Sequence, residues 1–320
     1  MHSPTPRPLY ALFLASLLAC GGGSEPEGPA GPPPAHWVDG VPPGGQPGSG
    51  AAIQDPTGFP PFHDRPAPQG KPVPAGGAWS QPVQLSSEPT GGYRPQIAVG
   101  PGDRLHALFY DRAKAGDIIR HRSSTGGKTW SSPARLGHTE DRNWGPDLVA
   151  RADGQVVVVY DHALQDFSSQ GFITRWQSGA WSEPQPITPG GVGQEVGSGH
   201  IAHGLDGTLA YVFIGKKMSP DHHFQARYRL FDGSAWSAIT PLTDGQVDAW
   251  HTNVERRPGG SMLAGWDVGM GGSETQLYVA ELNAGSWSEP ENISASSQPG
   301  ERVHFAFGPD GVDHLTWFHK

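Results

Sequence analysis

A Trp-Ser pair returns five times along this chain, at Trp79-Ser80, Trp130-Ser131, Trp181-Ser182, Trp236-Ser237 and Trp287-Ser288, with steps of 51, 51, 55 and 51 residues. A period near fifty marks stacked or radially arranged supersecondary units, each too small to bury its apolar face alone. A second series interleaves with the first: Pro101-Gly102-Asp103, Ala152-Asp153-Gly154, Leu205-Asp206-Gly207, Pro258-Gly259-Gly260 and Pro309-Asp310-Gly311. Each is flanked by apolar, β-branched and aromatic runs such as Gln155-Val156-Val157-Val158-Val159-Tyr160, which reads as a tight turn between antiparallel strands. The unit is therefore built from strands, and no helix longer than a turn or two is expected.

Aligned on the tight turns, the first strands run through 96–99, 147–150, 200–203, 253–256 and 304–307. Second strands follow, then a variable loop, a third strand, a Gly-containing turn and the Trp-Ser strand. Four strands per unit at this period is the sequence form of a β-propeller blade, and the expectation is an all-β, five-bladed propeller over residues 78–320. The chain enters the first unit through an isolated Trp79-Ser80 strand and ends two strands into the last, so N- and C-terminal strands together should close the ring. Closure removes open sheet edges. The closing blade is expected to have three strands.

Residues 1–19 carry Arg7 and then an apolar run from 9 to 18, the layout of a secretion signal too short to span a bilayer permanently. Leu17-Leu18-Ala19-Cys20 resembles the bacterial lipobox, which implies cleavage before Cys20 and its acylation; Gly21 after it favours the outer membrane or cell surface. Cys20 is the only cysteine, so it has no disulfide partner. Residues 20–77 are rich in Gly and Pro and read as a disordered tether, with His36-Trp37-Val38 and Phe59-Pro60-Pro61-Phe62-His63 as its apolar islands. The net charge is −9 and no basic run occurs, which excludes nucleic acid as a partner. The membrane is met only through the lipid anchor, a monomer is expected, and no cofactor is implied.

Ser123-Ser124-Thr125-Gly126-Gly127-Lys128-Thr129-Trp130 resembles the Asp-box of bacterial neuraminidase repeats, Ser-x-Asp-x-Gly-x-Thr-Trp, with Thr125 in place of Asp. The other copies, such as Gln177-Ser178-Gly179-Ala180-Trp181, keep the turn and the Trp. The resemblance implies a sialidase-like propeller whose Asp-boxes are structural turns on the face away from a ligand. Tyr93-Arg94-Pro95 resembles the family stretch holding the first arginine of its carboxylate-binding triad, and Arg302 stands at the equivalent place in the last unit. No Tyr follows Tyr278, so the late nucleophile of the family has no counterpart, and sialidases have one blade more.

Tight turns on one face leave the longer connections, and any site, on the other. At the start of the first strands the register column is Gln96, Asp147, His200, Asn253, His304; two places upstream it is Arg94, Gly145, Ser198, His251, Arg302, and three upstream Tyr93, Trp144, Gly197, Trp250, Glu301. Second strands end at Asp111, Asp161-His162, Lys216, Asp267 and His319. Convergence of these residues at one mouth suits a carbohydrate or acidic polar ligand, with Trp144 and Trp250 as an apolar wall and carboxylates fixing hydroxyls. The columns differ from blade to blade, which points to one asymmetric central site. His200, His251 and His304 lack a metal-ligand spacing, and no metal is expected. Two readings stand: a binding module for a glycan or another envelope ligand, and a glycan-processing hydrolase or lyase using Asp111, Asp147, Asp161 or Asp267 as acid and base.

Overall fold

The computed structural model describes residues 81–86 and 92–319, apart from short connections at 114–115, 139–141, 165–167, 191–193, 218–222, 270–274, 295–299 and 309–311. The expected signal with Cys20, the expected tether with its two apolar islands, Trp79-Ser80 and the turn Pro309-Asp310-Gly311 lie outside the described residues. Within them the regular structure is strand, with one 3-10 turn at Pro101–Asp103. No helix among the described residues is long and apolar enough to cross a membrane.

The strands form five antiparallel sheets in chain order. The first comprises β1 (Gly92–Gly100), β2 (Arg104–Ala113), β3 (Gly116–Thr125) and β4 (Ala134–Leu136), and the second β5 (Asn143–Ala150), β6 (Val156–Ala163), β7 (Ser169–Gln177), β8 (Ala180–Trp181) and β9 (Gln185–Pro186). The third holds β10 (Gln194–His203), β11 (Leu209–Lys217), β12 (Gln225–Phe231) and β13 (Thr240–Pro241). The fourth holds β14 (Ala249–Arg256), β15 (Met262–Val268), β16 (Gln276–Asn283), β17 (Ser286–Trp287) and β18 (Glu291–Asn292), and the fifth β19 (Gly300–Phe307) and β20 (Asp313–His319). The first strands β1, β5, β10, β14 and β19 contact one another in succession.

The recurrent Trp-Ser pair has a local cause. In each of four units the Ser returns to the third strand of its own sheet through two hydrogen bonds: its N–H donates to the carbonyl of Ser123, Arg175, Leu230 or Glu281 at 2.8, 2.8, 2.7 and 2.8 Å. Its Oγ accepts from the N–H of the same residue at 3.0, 3.0, 3.0 and 3.1 Å. One small hydroxyl thus replaces a ladder position and fixes the outer strand. In the Asp-box-like turn Gly126 and Gly127 take φ of 72° and 74°, and Trp130 Nε1 donates to Gly127 O at 3.1 Å. The tight turns are equally local: Asp153 and Asp206 each accept at 3.0 Å from the backbone N–H two residues on.

Burial of both sheet faces explains the unbroken run in β6. Val156, Val158 and Tyr160 pack with Leu108, Ile119 and Leu136 of the first sheet, whereas Val157 and Val159 pack with Ile201, Tyr211 and Phe213 of the third. Alternate side chains leave a strand on opposite faces, so a strand between two neighbours must be apolar on both. Each such side chain contributes about 1.5–3 kcal/mol by leaving water.

The last junction differs. Leu148, Ile201 and Val254 face the preceding sheet and are 6, 2 and 1 % exposed, while Ile97 at the same position of the first sheet is 65 % exposed. The fifth sheet has two strands. A Cβ built at Gly265 of the fourth sheet would approach its Phe305, while on its opposite face His304, Ala306, His314 and Thr316 are exposed. Residues 81–86 join no sheet, so the expected three-stranded closing blade is not seen among the described residues. One contact nonetheless follows the repeat: Arg122 Nη1 donates to Leu85 O at 2.7 Å, as Arg229 Nη1 in the third sheet donates to Ile187 O, the outer segment of the sheet before it, at 2.5 Å. The final hairpin is held by Arg257, whose guanidinium bonds Glu281 at 2.7 Å and Asp313 through Nε at 3.1 Å.

Candidate functional site

Every first strand carries a β-bulge at the same place. Register breaks between Tyr93 and Gln96, Trp144 and Asp147, Gly197 and His200, Trp250 and Asn253, and Glu301 and His304. Within each break one residue is left-handed: Arg94, Gly145, Ser198, His251 and Arg302, with φ of 46°, 57°, 53°, 37° and 58°. For the four with side chains this backbone costs on the order of 1–3 kcal/mol, and such strain gathers where a side chain has to be aimed. A bulge inserts one residue and turns it out of the ladder. The five bulge residues, with His200 and His304, line a single cleft of about 360 Å³.

Of the residues singled out from sequence, Arg94, Gln96, Gly145, Ser198, His200, His251, Arg302 and His304 line this cleft. Asp147, Asn253 and Asp267 form a layer behind it. Asp147 Oδ2 accepts from the Ile201 N–H at 2.9 Å and lies 3.3 Å from His200 Nδ1. Asn253 Nδ2 donates to Val303 O at 3.1 Å. Asp267 faces His251 Nδ1 at 3.2 and 3.1 Å and accepts from the Arg302 N–H at 3.3 Å. Each of these three side chains fastens its own sheet to the inner strand of the next. Trp250 Nε1 donates to Gly269 O at 2.9 Å and its ring packs on Phe224 with centroids 4.9 Å apart, away from the cleft lining. Trp144 is also outside the lining, so the expected aromatic wall is not formed there.

Asp111 is out of register with its supposed equivalents. Trp144 pairs with Asp161 and Trp250 with Asp267, but Tyr93 pairs with Tyr110, which puts Asp111 on the opposite face. There it is buried and ion-paired with Arg120 Nε at 3.1 Å. The side chains of Lys216 and His319 lie outside the described residues.

Two acids respond to the cleft electrostatically. Burial pushes Asp161 up to about 7, opposed by the Gly199 N–H, His200, Arg94 and the Tyr211 hydroxyl. Glu255, two residues deeper on β14, is in reach of water yet hemmed in by protein; desolvation raises it to about 7, with the Asp147 carboxylate adding and His200 opposing. His304 is lowered by partial desolvation and by the charges of His200 and Arg302. Glu255 was overlooked in the sequence, although its column reads Ala98, Val149, Ala202, Glu255, Ala306, with one acid among small apolar residues. Among the described residues no group of three acid, His or Cys side chains is placed to hold a metal.

No family model and no curated protein matches this chain. Solved structures do. A Fusarium graminearum GH93 α-L-arabinofuranosidase in complex with arabinobiose is 14 % identical with a TM-score of 0.53 over 70 % of this chain and 74 % of that one. A polysaccharide lyase of family PL25, an ulvan lyase bound to a GlcA-Rha3S unit, is 9 % identical with a TM-score of 0.51 over 75 and 69 %. A Hadza microbial sialidase is 16 % identical with a TM-score of 0.51 over 70 % of this chain and 52 % of its own, so this chain spans about half of that enzyme's length. At these identities the likeness is one of fold, and the fold is that of a sialidase-like β-propeller.

Proposed function

We propose that this protein is a glycan-processing propeller, a hydrolase or lyase, acting on an acidic or hydroxyl-rich sugar chain at the cleft where the five bulges converge. The observation that carries the reading is that bulge: the same strained geometry is repeated in every unit and directs Arg94, His251 and Arg302 into one cleft with His200 and His304. Guanidinium groups engage a carboxylate in bidentate fashion, which suits Arg94 and Arg302 to an acidic sugar, and Asp161, raised to about 7 by burial, lies behind the lining. The similar structures include proteins named for action on arabinose-, uronate- and sialate-containing glycans.

The second reading is a module that binds such a glycan without cleaving it. It is favoured by the commitment of Asp147 and Asp267 to backbone N–H groups and histidines, which removes two of the four acids offered by the sequence. In both readings five blades close into a ring through the segment around Trp79, supported by the repeat-like Leu85–Arg122 bond, and Cys20 tethers the domain to the outer membrane or cell surface as a monomer.

The test is a screen of the full chain for reducing-end release from arabinan and sialosides and for unsaturated products from ulvan, with calorimetric binding alongside. Activity or binding should fall about 10- to 150-fold in Arg94→Ala and in Arg302→Ala, the size of a lost charge-assisted hydrogen bond. Binding without turnover selects the second reading. Neither activity nor binding on any of these glycans overturns both.

A further inference from the structure

Among the described residues the lining of the cleft holds Arg94, Arg302, His200, His251 and His304, but no carboxylate and no tyrosine. Asp147 and Asp267 stand behind it on backbone N–H groups and imidazoles, and Asp161 is 0 % exposed. Glycoside hydrolysis calls for two carboxyl groups flanking the scissile bond, a pair that this lining does not offer. Its histidines remain, and they are not equivalent. His251 turns Nδ1 to Asp267, and its Nε2 is enclosed by protein without a partner. His200 keeps Nδ1 3.3 Å from Asp147 Oδ2, with a side chain 20 % exposed. A carboxylate at Nδ1 holds the ring proton there and leaves Nε2 as a base. His304 has the opposite tautomer. Asn253 Nδ2, oriented by its bond to Val303 O at 3.1 Å, stands 3.4 Å from His304 Nδ1, which accepts and so leaves the ring proton on Nε2. Desolvation and the charges of His200 and Arg302 lower His304, which keeps it neutral at neutral pH.

We propose that the cleft cleaves a glycan at a uronate linked through O4, by β-elimination, with His200 Nε2 as the base and Asp147 as the residue that positions it. This deepens the reading above and rests on it for the glycan. Nε2 takes the proton from C5, the carbon next to the uronate carboxylate. The C5–H electron pair becomes the C4=C5 double bond, and the C4–O4 bond breaks with its pair going to the leaving oxygen. The imidazolium then passes the proton to that oxygen, so His200 is regenerated and no water or further reactant enters. Asp147 stabilises the imidazolium while it lasts, as a carboxylate behind a catalytic imidazole does. The C5–H bond becomes acidic only when the neighbouring carboxylate charge is offset, which the guanidinium groups of Arg94 and Arg302 provide in the same cleft. The Nε2–H of His304 adds a donor for the charge that grows on the carboxylate in the transition state.

The test incubates the full chain with ulvan, with a polyglucuronate linked through O4 and with arabinan. Products are read by the ultraviolet absorbance of the C4=C5 bond and by total reducing ends, and binding by calorimetry. At least one uronate polymer should yield one double bond for every new reducing end, and arabinan should stay intact. His200→Gln should cut kcat on the order of 10²- to 10⁴-fold, the range for a lost proton-transfer group, with the Kd for the polymer unchanged. Asp147→Asn should lower kcat and leave KM in place, a split that a purely structural peg would not produce. If His200→Gln does not fold, His304→Gln decides, with kcat falling roughly 10- to 150-fold at unchanged Kd, the range for a hydrogen bond to a charged group. Reducing ends without double bonds, or binding of the uronate polymers without cleavage, overturn the elimination and leave the glycan reading standing. Full turnover in a folded His200→Gln overturns the assignment of the base. Neither binding nor cleavage of any of the three polymers overturns both.

Discussion

Asp147 on β5 and Ile201 on β10 are joined by a 2.9 Å hydrogen bond from the Ile201 N–H to Oδ2, across the junction of two sheets. The acid at the head of an inner strand is therefore a peg that satisfies its neighbour's backbone at the bulge. Asp147→Ala should lower unfolding free energy by about 1.5–3 kcal/mol in urea titrations, the range for a hydrogen bond to a charged group, whereas Asp147→Asn should retain most of it through the amide oxygen. Wild-type stability in the alanine variant removes the peg.

Leu85 stands to the first sheet as Ile187 stands to the third, each carbonyl accepting from an arginine of the third strand, Arg122 or Arg229. If the segment around Trp79 completes the ring, deleting residues 79–85 should lower the melting temperature and raise light scattering, since Ile97 is already 65 % exposed. Deleting residues 21–68 should leave melting almost unchanged. Equal melting of the two deletions speaks against closure.

Buried histidines and buried acids pull stability in opposite directions with pH. Burial, aided by neighbouring positive groups, lowers His121 and His162 to about 4 from 6.5. Between those values the unfolded chain binds the proton and the folded one does not, so stability falls as pH drops from 6.5 to 4. Both contribute to that fall. Asp161, raised to about 7, is protonated in the folded state first and so gains stability as pH falls from 7 toward the ordinary carboxylate range. Urea unfolding across this window should show His162→Gln losing less stability than wild type on acidification and Asp161→Asn losing more. At pH above 7 Asp161→Asn should be the more stable protein, because a buried charge has been removed. The reverse order assigns the wrong ionisation states to these groups.

The lone Cys20 behind an apolar run carries the anchoring expectation. Cys20→Ser should shift the protein from the detergent-extracted membrane fraction to the soluble one or leave the signal uncleaved. Mass spectrometry that finds an unmodified Cys20 in membrane-fractionated wild type removes the anchor.

The sequence by itself determined the strands, the turns and the repeat, because each is written in contacts a few residues apart. The Trp-Ser hydroxyl bonds its own sheet within eight residues, and the Asp of the tight turn bonds two residues on. The doubly buried strand β6 is also legible, since a run apolar on both periods of two has to lie between two neighbours. Which of the aligned columns faces the cleft was decided only in three dimensions. The inserted residue of each bulge fixes that aim, and it is defined by a register shift against a partner strand, which no single strand records. Alignment by composition therefore put Asp111 beside Asp161, although a one-residue offset turns it to the other face and onto Arg120. Trp144 and Trp250, adjacent in sequence to the bulges, are absent from the cleft lining. That Gly145 covers the buried Asp161 of the neighbouring strand is likewise set by the pairing of two strands.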